Sequence, residues 1–164
     1  MKFTKRSSYI ILVVVLSIAA DQISKIIVRA QVKPGTSTNI IGKYFQLLNV
    51  ENTGAFLGMG SDLNESLRII LLLILPILVL GFVFRYIFKD KTLDNWSLFA
   101  YASIIGGGIA NVYDRFAYGS VTDFLYIKLT DVLRTGIFNI ADLSVTTGMI
   151  ILLITNFKKK KSIK

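Results

Sequence analysis

Two aspartates beside strongly apolar segments are the residues of this chain best suited to catalysis. Asp142 ends the sequence Phe-Asn-Ile-Ala-Asp, and Asp123 lies 19 residues earlier, in Gly-Ser-Val-Thr-Asp-Phe. A carboxylate next to hydrocarbon is costly, so ionisable residues in such places usually serve a function. Two neighbouring carboxylates do not both ionise easily; one keeps a proton and acts as an acid, while the other acts as a base. Such a pair can activate water and hydrolyse an amide.

A structural interpretation of the same residues stays open from their spacing alone. Asp142 could cap the helix that follows, and Asp123 could end a strand. The absence of histidine and cysteine removes disulfides, thiolate nucleophiles and zinc sites built on imidazole or thiolate, and we expect no metal or cofactor. A serine nucleophile would lack a histidine base, which leaves only a Ser–Lys pair with Lys25.

The composition predicts an all-α membrane protein with four transmembrane helices. Of the 164 residues, 53% are hydrophobic, and they concentrate in blocks that approach the roughly 20 residues needed to cross a bilayer. The predicted spans are about 7–28, 67–88, 96–113 and 138–157, within one domain of residues 1–164. Between them lie two outer loops, about 30–66 and 115–137. Their β-branched and aromatic residues predict short strands that pair into a small extracytoplasmic sheet, or cradle.

The distribution of basic residues predicts the topology. Eleven lie at the termini and in the middle loop, against five in the two longer loops. The positive-inside rule then places both termini and the middle loop of a multi-pass membrane protein in the cytoplasm. The eleven are Lys2, Lys5, Arg6, Arg85, Lys89, Lys91, Lys158, Lys159, Lys160, Lys161 and Lys164; the five are Lys33, Lys43, Arg115, Lys128 and Arg134. A lysine-rich tail directly after a span is better explained by topology than by nucleic-acid binding.

Three polar residues fall at one depth in the predicted spans. At about 1.5 Å per helical residue, Asp21, Asn111 and Asp142 lie roughly 21, 22 and 24 Å from the inner ends of their spans. All three are therefore expected in the outer third of a hydrocarbon core about 30 Å thick. Asp123, from an outer loop, could meet Asp142 there. We expect an active site near the outer surface.

Further polar residues lie near this level. Asp21 and Lys25 stand at i and i+4 and are expected to form an ion pair that supports the fold. Asn52, Asn111 and Asn139 could bind substrate backbone, orient the acids or satisfy neighbouring carbonyls. The run Gly106-Gly107-Gly108 lies inside a span, where close helix packing explains it better than phosphate binding.

Five sequence boxes, in order along the chain, resemble lipoprotein signal peptidase (signal peptidase II), a bacterial family of membrane aspartyl proteases. The resemblance covers essentially the whole chain. The boxes are Asp-Gln-Ile-Ser-Lys at 21–25, Asn-Thr-Gly-Ala at 52–55, Gly-Gly-Gly-Ile-Ala-Asn-Val-Tyr-Asp-Arg at 106–115, Gly-Ser-Val-Thr-Asp-Phe at 119–124 and Phe-Asn-Ile-Ala-Asp at 138–142.

The resemblance implies an endopeptidase with a catalytic pair, Asp123 and Asp142. Its substrate would be a diacylglyceryl-modified prolipoprotein, cut on the N-terminal side of the lipidated cysteine. The residues that would bind substrate or support the site are Asp21, Lys25, Asn52, Gly54, Asn111, Arg115 and Asn139. Besides these substrates the expected partners are membrane lipids; we expect no nucleic acid, and a monomer. The resemblance also implies that the protein lies in the bacterial cytoplasmic membrane.

Two departures from the family pattern concern substrate range. Ala110 stands where the family usually has glycine, and Phe56, followed by Leu57, stands where it usually has alanine. A bulkier Phe56 could narrow the substrate cleft, which leaves open a specialised paralogue. Two other classes also stay open: a non-catalytic lipoprotein-binding scaffold, and a small transporter or proton relay in which Asp21, Lys25 and Asp142 carry ions.

Overall fold

The computed structural model describes residues 4–55 and 58–162, and this part of the chain folds into four long helices and three strands. The helices are α1 (Lys5–Gln31), α2 (Glu65–Lys89, π-helical over Ile69–Ile74), α3 (Asn95–Tyr118) and α4 (Ile140–Ser162). The strands are β1 (Ser37–Ile41), β2 (Phe45–Asn52) and β3 (Val121–Ile127). The mostly helical architecture and the small sheet agree with the sequence analysis.

Three of these helices are long and apolar enough to cross a membrane: α1, α2 and the Ile140–Lys158 part of α4. Helix α3, which contains the predicted span 96–113, does not meet the same criterion, so the expectation of four apolar spans is confirmed only in part. The reason lies in packing. Helix α3 is central and packs against all three other helices, so its small and polar residues face protein.

The ends of the helices differ from the predicted spans. Helix α1 begins at Lys5 rather than Ser7 and continues to Gln31, and α3 continues past residue 113 to Tyr118. Helix α4 begins at Ile140, because Phe138 pairs with Leu125 in an isolated β-bridge. Hydropathy predicts that a span ends where charged residues begin. Here the helices continue through such residues, because other parts of the protein pair with them.

The two outer loops pair into one antiparallel sheet in the order β1-β2-β3, as expected. Strand β2 pairs with β3 from Phe45–Ile127 at one end to Asn52–Val121 at the other. The second end lies where β3 follows directly from α3. The sheet therefore brings Asn52 and Asp123 to the ends of the helices.

Glycines allow the helices to approach closely. A Cβ atom on Gly107 would lie 2.4 Å from the carbonyl oxygen of Ala141 in α4, and one on Gly106 would lie 2.6 Å from the Ser17 Cβ in α1. One on Gly108 would meet the side chain of Leu80 in α2 at 2.6 Å. The glycine run thus serves helix packing, as its position predicted.

We predict that Gly107→Ala destabilises the protein, because the added methyl group forces α3 away from α4. The expected loss is about 1–3 kcal/mol of unfolding free energy, measured by unfolding in detergent. Gly81→Ala is the matched control, since a Cβ atom added at Gly81 would have no neighbouring atom within 4 Å. Equal stability of the two variants would contradict the packing role of Gly107.

Candidate active site

Asp123 lies in β3 and is almost fully buried, with 3% of its surface exposed. Each carboxylate oxygen accepts a hydrogen bond from an asparagine side chain. Asn52 Nδ2 donates to Oδ2 at 2.8 Å, and Asn139 Nδ2 donates to Oδ1 at 2.7 Å. Asn52 belongs to β2 and Asn139 precedes α4, so Asp123 lies where the sheet meets a helix.

Asp142 lies in the first turn of α4 and does take part in a helix cap. Asn139 Oδ1 accepts from the Asp142 backbone N–H at 2.8 Å, and Asp142 Oδ2 accepts from the Asn139 backbone N–H at 3.3 Å. This reciprocal arrangement is a capping box. The other oxygen, Oδ1, accepts from Asn111 Nδ2 at 2.8 Å. The capping interpretation and the site interpretation of Asp142 are therefore compatible.

Asn139 joins the two acids, because it contacts Asp123 through its side chain and Asp142 through its backbone. It has no exposed surface. One residue that bonds both carboxylates keeps them beside each other in the folded protein. The structure thus brings together Asp123, Asp142 and all three asparagines that the sequence singled out.

A buried ion cluster lies next to the aspartates. The Lys25 ammonium lies 2.7 Å from Asp21 Oδ2, as the spacing predicted, and 2.6 Å from Asp114 Oδ2. It also donates to Asn111 Oδ1 at 2.9 Å. Asp21 Oδ1 accepts from the Ala141 backbone N–H at 2.8 Å, at the start of α4. The cluster therefore connects α1, α3 and α4 at the level of Asp142.

Arg115 and Gly54 position the loop that follows β2. Arg115 Nη2 donates to the Gly54 carbonyl at 2.9 Å, and the Gly54 backbone N–H donates to Asn52 Oδ1 at 2.9 Å. A Cβ atom on Gly54 would lie 2.6 Å from the Gly58 backbone, which explains why only glycine fits. Phe56 and Leu57, expected to affect substrate range, lie outside the described residues.

Three cavities in the described part of the chain reach the aspartates, and the smallest, of about 200 Å³, has Asp142, Leu143 and Thr146 among its lining residues. One of about 350 Å³ is lined by the end of β2, Ser61, Asp123 and Ile137. Another of about 570 Å³ is a largely apolar groove beside α2, α3 and α4, with Asp142, Asn111 and Arg115 among its lining residues. A bound peptide that reaches both Asp123 and Asp142 would therefore have an apolar segment in this groove.

Burial raises the pKa of Asp123 from its ordinary value of 3.8 to about 6. The nearby charge of Asp142 raises this pKa further, while the hydrogen bonds from Asn52 and Asn139 oppose the rise. An aspartate with this pKa can hold a proton under mildly acidic conditions and release it near neutrality. Perturbed carboxyls in clefts are typical of catalytic sites.

The sequence analysis missed three residues of the supporting network: Gln22, Arg29 and Asp114, the second ion-pair partner of Lys25. Gln22 Nε2 donates to Asp114 Oδ1 at 3.0 Å and to Asp21 Oδ2 at 3.2 Å. Arg29 Nε donates to Thr122 Oγ1 at 2.7 Å, and Arg29 Nη2 lies 3.5 Å from Asp114 Oδ1. Arg29 follows Asp21 and Lys25 at the same four-residue interval, and that spacing was the available signal.

The chain matches the family model described as signal peptidase (SPase) II over residues 13–158. It is 38% identical over 148 residues to the lipoprotein signal peptidase of Borrelia duttonii (strain Ly), which covers 87% of this chain and 86% of that protein. It is 34% identical over 153 residues to that of Treponema pallidum (strain Nichols), covering 90% and 82%.

Two solved structures of bacterial membrane enzymes have a similar fold. One superimposes with a TM-score of 0.83 at 28% sequence identity and covers 94% of this chain and 91% of its own. The other has a TM-score of 0.78, also at 28% identity, and covers 91% and 92%. The likeness therefore extends over nearly the whole molecule.

We predict that Asp123→Asn gains stability relative to the native chain as pH rises from about 4 to 6. The folded state binds the Asp123 proton more tightly than the unfolded state, so the native chain loses stability in this window. The rise in the pKa of Asp123 corresponds to a loss of about 3 kcal/mol of unfolding free energy in the native chain across this window. The measurement is unfolding in detergent at several pH values; a hydrogen bond lost in the variant adds only a constant offset. A difference that stays constant from pH 4 to 7 would contradict the raised pKa.

Proposed function

The chain belongs to the signal peptidase II family, a family of proteases that remove the signal peptides of lipoproteins, and on that premise we propose an aspartic mechanism with Asp123 and Asp142 as its catalytic pair. The observation that carries the proposal is that Asn139 bonds both carboxylates at the end of an apolar helix. The family resemblance indicates the same two residues.

In this mechanism Asp142 is the base and Asp123 the acid. Asp142 lies at the N-terminus of α4, where the helix dipole favours a carboxylate. It takes a proton from water as the water oxygen attacks the peptide carbonyl, and Asp123 gives its proton to the carbonyl oxygen. The tetrahedral intermediate then collapses: Asp142 protonates the leaving nitrogen, the C–N bond breaks, and Asp123 recovers its proton from a hydroxyl of the intermediate.

The proposed substrate is a prolipoprotein that carries a diacylglyceryl group on its cysteine, cut on the N-terminal side of that cysteine. The apolar groove supports this proposal, because it runs from Asp142 along α4 to Met149, Ile150 and Leu153. It offers lipid-like surroundings for an apolar segment with the peptide bond at its polar end. Asn52, Gly54, Asn111 and Arg115 would hold the substrate or the loops around it.

We propose that α3 is a fourth span, with both termini in the cytoplasm. Its 24 residues correspond to about 36 Å, longer than the roughly 30 Å of the hydrocarbon core. Its low hydropathy is compatible with spanning, because the other helices surround it. The sheet and the aspartates would then lie at the outer surface of the cytoplasmic membrane.

We expect Asp123→Asn and Asp142→Asn each to lower the rate of precursor cleavage by at least 10²–10⁴-fold, the usual contribution of acid–base catalysis. Asparagine is nearly isosteric, so both variants should fold. The assay follows cleavage of a diacylglyceryl-modified prolipoprotein by purified protein. Asp131→Asn is the control, since Asp131 is exposed and bonds only Lys128 among its described contacts. Retained cleavage in both site variants would point to a scaffold or a different nucleophile.

The proposed topology predicts the behaviour of two reporter fusions. A reporter fused after Lys164 should read cytoplasmic, and one inserted near Asp62 should read external. Paired activity and accessibility reporters in intact cells would measure this. The reverse pattern would place the aspartates on the cytoplasmic side and contradict the proposed location of the site.

A further inference from the structure

We propose that Lys25 is a positioning residue that fixes the orientation of the Asn111 amide and thereby keeps Asp142 the ionised member of the aspartate pair. This inference rests on the proposed function. It assigns to the buried ion cluster a role in the reaction beyond supporting the fold.

The orientation of Asn111 follows from its partners. The Lys25 ammonium has only donors, so the atom 2.9 Å from it must be the amide oxygen. The NH₂ group must then face Asp142, to whose Oδ1 it donates at 2.8 Å. The reversed amide would set NH₂ against an ammonium and oxygen against a carboxylate, losing both hydrogen bonds. It would also lose a longer one, since Asn111 Oδ1 accepts from Asn139 Nδ2 at 3.3 Å.

The other two asparagines are fixed in the same way by backbone groups. Asn139 Oδ1 accepts from the Asp142 N–H, and Asn52 Oδ1 accepts from the Gly54 N–H. Their NH₂ groups are therefore forced toward Asp123. Of the three amides, only that of Asn111 contacts a charged group that fixes its oxygen, the Lys25 ammonium. The ion pairs with Asp21 and Asp114 hold this ammonium in place.

A fixed donor and a nearby positive charge both favour ionisation of Asp142 over protonation. Other charged groups also surround this carboxylate. Asp21 contacts the adjacent Ala141 N–H, Asp123 shares Asn139, and Arg115 lines the same groove. Asp21 and Asp123 oppose ionisation, so the balance depends on Arg115 and on the contribution of Lys25 through Asn111.

The experiment measures kcat/KM for cleavage of a lipid-modified precursor against pH. Its acidic limb reports the first ionisation of the pair, which we assign to Asp142. The main variant is Asp114→Asn/Lys25→Met, which removes one buried charge of each sign. Its reference is Asp114→Asn, which leaves the ammonium on Asn111. We expect the acidic limb of the double variant to lie about one pH unit above that of the reference.

A second variant, Asn111→Ala, removes the contacts of Asn111 with Lys25 and Asp142 and leaves the ion pairs of Lys25 in place. The acidic limb of its pH profile should lie at higher pH than that of the native protein, by a similar amount. Combining it with the double variant should shift the acidic limb by clearly less than the sum of the two separate shifts, because both changes interrupt the connection through Asn111. If the double variant does not fold, an acidic limb that does not move in Asn111→Ala still overturns the proposal.

An acidic limb that stays in place in Asn111→Ala, or that is equal in the double variant and its reference, would overturn the positioning role. Additive shifts would also overturn it, since Lys25 would then act independently of Asn111. These outcomes are distinct from failure of the proposed function. That failure would appear as cleavage retained by Asp123→Asn and Asp142→Asn.

Discussion

The structure of the site depends on one buried cation. Lys25 has no exposed surface, and its ammonium lies between Asp21 and Asp114, which are equally buried. Removing one partner of such a pair typically costs about 3–5 kcal/mol, because the other charge is left uncompensated. Burial of each of the three charges is therefore stable only when the other two are present. Because Asp114 lies in α3 and the other two lie in α1, the two helices must pack together at this point. Through Asp21 and the Ala141 N–H they also fix where α4 begins.

A second polar connection fixes the sheet relative to the helices. Arg29, one turn beyond Lys25, reaches Asp114 in α3 and Thr122 in β3. The Thr122 hydroxyl in turn donates to Glu51 Oε1 in β2 at 2.7 Å. Because Thr122 directly precedes Asp123, these contacts help to hold Asp123 in place. In the proposed mechanism, the carboxylate that donates the proton therefore comes from the sheet, and the carboxylate that accepts one from water comes from a helix.

Much of this site could be predicted from the sequence. The common depth of Asp21, Asn111 and Asp142 anticipated their cluster, and the i, i+4 spacing anticipated the Asp21–Lys25 pair. The ion pair of Asp114 with Lys25 could not be predicted from periodicity, since an ion pair between distant segments leaves no local sequence pattern. The same limit applies to helix ends: the predicted span stopped at residue 113, before the charged Asp114 and Arg115, yet α3 continues to Tyr118.

A single turnover in ¹⁸O-labelled water tests the central claim, that the two aspartates activate water at a lipid-modified cysteine, most directly. The account predicts a released signal peptide that ends immediately before that cysteine and carries one ¹⁸O atom in its new carboxylate. An unlabelled peptide with ¹⁸O on Asp123 or Asp142 would show that an aspartate attacks the substrate directly. No cleavage by folded native protein would contradict the peptidase itself.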